Sequence, residues 1–200
     1  MGAISEAHNA LQALCEALLR EGERCTELCR LPTEWLHILL DKLASQRQVF
    51  ILRRSAGFAF GFLSLLRAEP GNCRPVLLPV AMNKLLLYAA QGLGLHVDVV
   101  DGVPILRGSG SDTPLESTSA GRSAGRSEET GVHVHWRTCV HSLNIVRLIL
   151  LDAALGGDLD PYITTAVQLA VRGFRSPRWA VRNSSMMVGA AAVLALLTQC

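Results

Sequence analysis

Val49, Leu52, Ala56, Ala59, Leu63 and Leu66 fall at alternating steps of three and four residues. Apolar side chains at that spacing line one side of an α-helix but scatter over both faces of a strand, so the stretch can bury itself only as a helix. The same period recurs along the chain. It is carried by Leu11, Leu14, Leu18 and Cys25 over residues 3–30, and by Trp35, Leu36, Leu39, Leu40 and Leu43 over 33–43. Leu77, Leu78, Met82, Leu85, Leu86 and Ala89 carry it up to Gly92. Val140, Leu143, Val146, Leu150 and Ala154 form a seam over 136–154, and Ile163, Val167, Leu169, Ala170 and Val171 an inward set over 160–173.

The separators agree with the seams. Pro32, Pro161 and Pro177 suit a first helical turn and no interior one, because proline has no N–H to donate. Asp160 is placed to cap the helix that Pro161 opens, and Ser176 repeats the device before Pro177. Glu69-Pro70-Gly71-Asn72 reads as a turn, and Gly92, Gly156-Gly157 and Gly173 as helix stops. The only strand-like residues, Val97 to Leu106, are interrupted by Asp98, Asp101, Gly102 and Pro104. These observations predict an all-α fold of stacked helical hairpins, an ARM/HEAT-like α-solenoid segment. No clean repeat accompanies it, so helix and connection lengths carry the expectation. Helical repeats are expected over 1–92 and 132–200. Between them, 93–131 is expected as a flexible Gly/Ser-rich loop, whose composition cannot bury enough apolar area to offset the entropy of ordering.

Half of the residues are apolar and only 5% aromatic, while the net charge is +2, too mild for composition alone to indicate nucleic-acid binding. The six cysteines lack paired spacing, and Met1 to Arg20 lacks the basic start and apolar core of a signal peptide. Free thiols in a reducing compartment, and a cytoplasmic location, are therefore expected. The apolar tail Val188 to Leu197 is shorter than the ~18 residues of a membrane helix, so no membrane span is expected.

Three polar stretches interrupt the apolar seams. Arg53-Arg54-Ser55-Ala56-Gly57 sets two guanidinium groups on a helix thinned by Ser55, Gly57 and Gly61. A half-buried arginine needs a partner. That partner is either a carboxylate or carbonyls within the fold, with Asp41 and Asp152 as candidate carboxylates, or a phosphate or a second protein. His141, Asn144 and Arg147, three apart, fan over one side of their helix. They form either a buried network, since buried polar groups are hydrogen-bonded, or a recognition surface. Trp179, Arg182 and Asn183 make the third set: either Trp179 stacks on a guanidinium, or Arg182 and Asn183 bond to a loop or a ligand, a structural network being the default. His133, His135, Cys139 and His141 are metal-ligand types without a second pair at zinc-site distance. There is no phosphate loop, nucleophile elbow or pair of carboxylates in an apolar setting. Neither catalysis, nor a cofactor, nor a small-molecule substrate is expected.

Leu31-Pro32-x-x-Trp35, Arg53-Arg54-Ser55-Ala56-Gly57, His141-x-Leu143-Asn144-x-x-Arg147 and Gly173-Phe174-x-Ser176-Pro177-x-Trp179-Ala180-Val181-Arg182-Asn183-Ser184-Ser185 occur in that order. Together they resemble the central domain of the THADA (thyroid-adenoma-associated) family. The resemblance covers about residues 31–187. It implies a long α-solenoid without an active site, which partners an S-adenosylmethionine-dependent tRNA 2′-O-methyltransferase and directs it to the first nucleotide of the anticodon loop. It further implies that Arg53 to Gly57 carry that role, with His141, Asn144, Arg147, Arg182 and Asn183 at other positions of the family pattern. The cofactor would belong to the partner enzyme. A helical-repeat scaffold for proteins, without RNA, is the rival reading, slightly favoured by the modest net charge. The chain departs from the pattern at Phe58-Ala59, where an Ile-Pro pair is usual, which should leave this helix straighter. It also departs at Ser142, where alanine is usual, and after Met187. Relatives are much longer, so the chain is expected to be a fragment or shortened isoform that leaves an apolar face of the stack uncovered.

Overall fold

In the computed structural model the described residues are 2–21, 27–45, 56–70, 75–100, 102–106 and 135–198. Among them the helices are α1 (Gly2–Arg20), α2 (Leu31–Ala44), α3 (Ala56–Arg67), α4 (Leu77–Gly92), α5 (Trp136–Leu150), α6 (Asp160–Gly173) and α7 (Trp179–Thr198). The fold is all-α, built of packed helical hairpins, with one small addition: strands β1 (Val97–Val100) and β2 (Val103–Leu106) pair antiparallel, Val100 opposite Val103. In the N-terminal half α1 packs on α3, and α2 on α4. In the other half α4 and α7 flank α5, and α6 lies on α7. A single apolar core runs through the molecule, from Leu36, Leu40 and Phe62 through Met82 and Leu85 to Leu143, Ile149, Leu169 and Ala192.

The seams of α2 and α4 bury as expected: Leu36, Leu40 and Leu43 of α2 and Leu77, Leu78, Met82, Leu85, Leu86 and Ala89 of α4 are all inside. Elsewhere the buried face differs from the expected one. In α1, Leu14 is exposed and Cys15 is fully buried, because the helix turns His8 toward α3, where His8 Nδ1 meets Ser64 Oγ at 2.6 Å. In α6, Val171 is exposed, while Tyr162, Thr165 and Ala166 turn inward beside Ile163 and Leu169. α5 ends at Leu150, ahead of Ala154, where Asp152 turns the chain by accepting the Ala154 N–H. The cap expected of Asp160 is absent: Leu159 occupies the cap position without a side-chain bond, and Asp160 is already helical.

Helix α4 starts with a cap that local reading missed. The Glu69 carboxylate accepts from the N–H groups of Val76 (2.7 Å) and Leu77 (2.8 Å), with Leu78 at 3.3 Å. These are donors that a helix start leaves unsatisfied, and the negative charge also suits the positive end of the helix dipole. The helix ends at Gly92 as expected, and the left-handed residue that closes it is Gly94 (φ +71°), two positions on. There Leu95 N–H bonds Ala90 C=O and Gly94 N–H bonds Gln91 C=O, a left-handed glycine closure.

The expected flexible segment 93–131 opens instead with ordered structure. The hairpin seats on two helices through Asn83 Nδ2, donating to Gly102 C=O at 2.7 Å, and buried Thr165 Oγ1, donating to Pro104 C=O. It thereby ties α4 to α6. Asp98 and Pro104 broke the strand pattern in sequence, yet an edge strand tolerates proline and an outward aspartate. The Gly/Ser-rich remainder of that segment, from 107 onward, lies outside the described residues.

Two helix crossings depend on missing side chains. A Cβ at Gly92 would overlap Cys139 Cβ across the α4–α5 contact, and a Cβ at Gly173 would overlap Ser185 Oγ across α6–α7. The tail Val188–Leu197, too short on its own, continues the helix begun at Trp179. As a result α7 is long and apolar enough, by length and composition, to cross a membrane. One side of it, Val181, Ser184, Ser185, Val188, Ala191, Ala192 and Ala195, is buried against α5 and α6.

Candidate functional site

Of the first polar stretch, Arg53, Arg54 and Ser55 lie outside the described residues. Gly57 stands exposed in the first turn of α3, with open space where a Cβ would project. One of the two carboxylates proposed as internal partners is engaged elsewhere. Asp152, its side chain 2% exposed, is held by Arg67 of the last turn of α3, with Nε donating to Oδ2 at 2.7 Å. This pair locks α3 to the end of α5, on which it packs. Asp41 is exposed on α2, and its field adds to burial in raising the Tyr88 phenol above its ordinary value.

The second stretch divides. His141 is buried on α5 and burial lowers its pKa below 6.5. Among the described residues its Nε2 has no hydrogen-bond partner, and neither has the neighbouring buried Ser142 Oγ. Of the two readings, the buried network therefore finds no hydrogen bond at these two atoms. Asn144 and Arg147 are half-buried on the same helix, and among the described residues Arg147 makes no ion pair. Cys139 is buried beside Gly92, its thiol pushed up to about 12 by burial, which makes it inert as a nucleophile. Among the described residues no group of His, Cys, Asp or Glu could hold a metal ion.

In the third stretch, among the described residues, Arg182 takes the loop-bonding alternative and Trp179 does not stack. Trp179 is 70% exposed and stacks on no guanidinium among the described residues. Arg182 turns back on its own helix start and donates from one terminal nitrogen to Ser176 C=O (2.9 Å) and Pro177 C=O (3.0 Å). Asn183 is exposed, its amide 4.0 Å from Met187 Sδ. Phe174, Trp179, Arg182, Asn183 and Met186 together line an open cleft of about 510 Å³.

The stacking expected of Trp179 belongs to Trp136. The Arg178 guanidinium carbon lies 4.9 Å from the Trp136 ring centre and that of Arg137 lies 5.3 Å away. His135 caps the same helix, its Nδ1 accepting from Arg137 N–H at 3.3 Å. Sequence reasoning passed over Trp136 and Arg178. The available signal was a Trp-Arg pair at the start of α5 and an arginine just ahead of α7. Only the pairing of the two helix starts brings them together. The structure thus joins the N-terminal ends of α5 and α7 at one basic, aromatic corner, and leaves His141 in the core away from solvent.

This arrangement defines a helical-hairpin protein with arginine, tryptophan and asparagine side chains accessible at this corner. The chain belongs to the family described as THADA/TRM732, DUF2428, which matches residues 1–180. It is 30% identical over 192 residues to the tRNA (32-2′-O)-methyltransferase regulator THADA of Mus musculus, a match covering 94% of this chain and 8% of that protein. The Homo sapiens protein of the same name is 29% identical over 197 residues (96% and 8%), and the Gallus gallus one 28% over 195 residues (96% and 8%). The chain therefore spans less than a tenth of the length of these relatives. No solved structure matches it.

Proposed function

We propose that this chain is a piece of a non-catalytic, cytoplasmic regulatory subunit, an α-solenoid that supports a tRNA 2′-O-methyltransferase acting on the first nucleotide of the anticodon loop. The observation that carries this reading is the match of nearly the whole chain to relatives named as regulators of that methylation. The geometry is consistent with it. The buried thiol and imidazole are sealed in the core, and the accessible polar groups are of the kinds that bind phosphate, base and carboxylate. In this reading Arg53, Arg54, Ser55 and Gly57 meet the enzyme or the tRNA, Asn144 and Arg147 extend that surface, and S-adenosylmethionine stays with the partner enzyme. α7 serves as a packed member of the helical stack.

The test is co-purification with the methyltransferase, followed by mapping of ribose methylation in the anticodon loop. Arg54→Ala is expected to lower methylation at that nucleotide with the fold intact. Full methylation in a folded variant excludes the role given to that arginine. A scaffold for proteins without RNA is the second reading, favoured by the exposed Val193, Leu194 and Leu197 along α7. A tRNA-binding titration separates the two, because phosphate contacts make affinity fall steeply with salt.

A further inference from the structure

Most arginines of the C-terminal half gather at one end, Arg147 in the last turn of α5 being the exception. α5, α6 and α7 follow one another through short connections and run alternately up and down, so the start of α5, the end of α6 and the start of α7 share one end. The Arg178–Trp136 stack confirms that the two starts adjoin. To this end the sequence assigns Arg137, Arg172, Arg175, Arg178 and Arg182. The opposite end holds Asp152, Asp158 and Asp160, while residues 132–151 and 161–200 contain no carboxylate side chain. Among the described residues none of the five arginines is ion-paired with a carboxylate. Arg172, Arg175 and Arg178 are exposed, and so are Phe174 and Trp179, next to them in sequence. The positive dipole ends of α5 and α7 point the same way.

From this juxtaposition we infer that the α5–α7 end is a binding surface for single-stranded nucleic acid. Arg172, Arg175 and Arg178 meet the phosphates, and an unpaired base stacks on Trp179 over the cleft that Phe174, Arg182, Asn183 and Met186 line. Interleaved arginines and open aromatic faces suit a flexible strand with splayed bases, whereas a duplex keeps its bases stacked. Arg182 and Trp136 have internal duties: Arg182 closes the α6–α7 turn, and Trp136 holds Arg178 outward. The inference deepens the tRNA-directed reading above by naming a surface for it, and it does so apart from the Arg53–Gly57 stretch.

The test uses the full chain and a fluorescently labelled single-stranded RNA of about 12 nucleotides, within the range such surfaces span, with a duplex of equal length as comparison. Anisotropy titrations over a salt series are expected to favour the single strand. Trp179→Ala, at an exposed position, should weaken it about tenfold, the scale of one stacked base. Arg172→Glu with Arg175→Glu should also weaken it, and should flatten the salt slope by roughly 0.7 for each phosphate no longer neutralised. Lys42→Glu with Lys84→Glu, an equal charge change at exposed sites on α2 and α4, should do far less. Equal losses in the two double variants, or equal affinity for the duplex together with indifference to Trp179→Ala, would overturn the inference. So would RNA affinity that is intact in the Arg172→Glu, Arg175→Glu variant while methyltransferase capture is lost, which makes this end a protein-docking face. Failure here with tRNA methylation still dependent on Arg54 leaves the regulatory reading standing. Loss of the Arg54 effect with Trp179-dependent RNA binding retained removes only the former.

Discussion

Gly173 shows how one absent carbon sets the distance between two helices. Because a Cβ there would overlap Ser185 Oγ, and the crossing is buried, Gly173→Ala is expected to destabilise the fold by about 1–3 kcal/mol. Gly57→Ala, which faces open space, should leave stability within about 1 kcal/mol of the parent. Urea denaturation of the two variants checks both statements. His141 supplies a second residue-scale expectation. Its folded-state pKa is lowered by burial, so below about pH 6.5 the unfolded chain takes up a proton that the folded chain refuses. Its contribution to stability is therefore intact above that pH and declines as pH falls, by at most about 1.4 kcal/mol per pH unit until the folded imidazole itself titrates. In His141→Leu the fall in thermal midpoint between neutral and mildly acid solution should be smaller than in the parent.

Elements in this fold are terminated by groups brought from a distance along the chain. Glu69 reaches forward past a turn to cap α4, and Glu69→Ala should cost about 1 kcal/mol, with amide exchange rising first at Val76, Leu77 and Leu78. Uniform exchange across α4 and its neighbours would show that the carboxylate is not the cap of that helix alone. Asp152 plays the converse part, ending α5 and anchoring α3 through Arg67. The half-exposed Arg67 keeps much of its hydration, so the pair aligns elements more than it stabilises them. The hairpin was the element least visible in sequence. Its strands are four residues each and interrupted by polar and proline residues, and what orders them is contact with Asn83 and Thr165 on helices remote in sequence.

At the scale of the molecule, the helical seams were legible because a helix reports its buried face locally, through the spacing of Leu36, Leu40 and Leu43 or of Leu78, Met82 and Leu85. Family membership was legible for a similar reason: its blocks are contiguous stretches such as Arg53–Gly57 and Trp179–Ser185. The sequence alone therefore determined an all-α architecture and marked Arg182 and Asn183 as polar groups in an apolar setting. Only the tertiary structure decided which polar groups are reachable. It buried His141 and left its Nε2 unpartnered, spent Arg182 on a turn, and opened Trp179 to solvent. It also set Arg178 on Trp136, 42 residues earlier, and so gathered the arginines of three helix ends on one side. The physical reason is that helix periodicity is written within a few residues of chain. Exposure, pairing and charge grouping depend on which helices cross and in which direction they run, and here glycines at the α4–α5 and α6–α7 crossings let those helices approach.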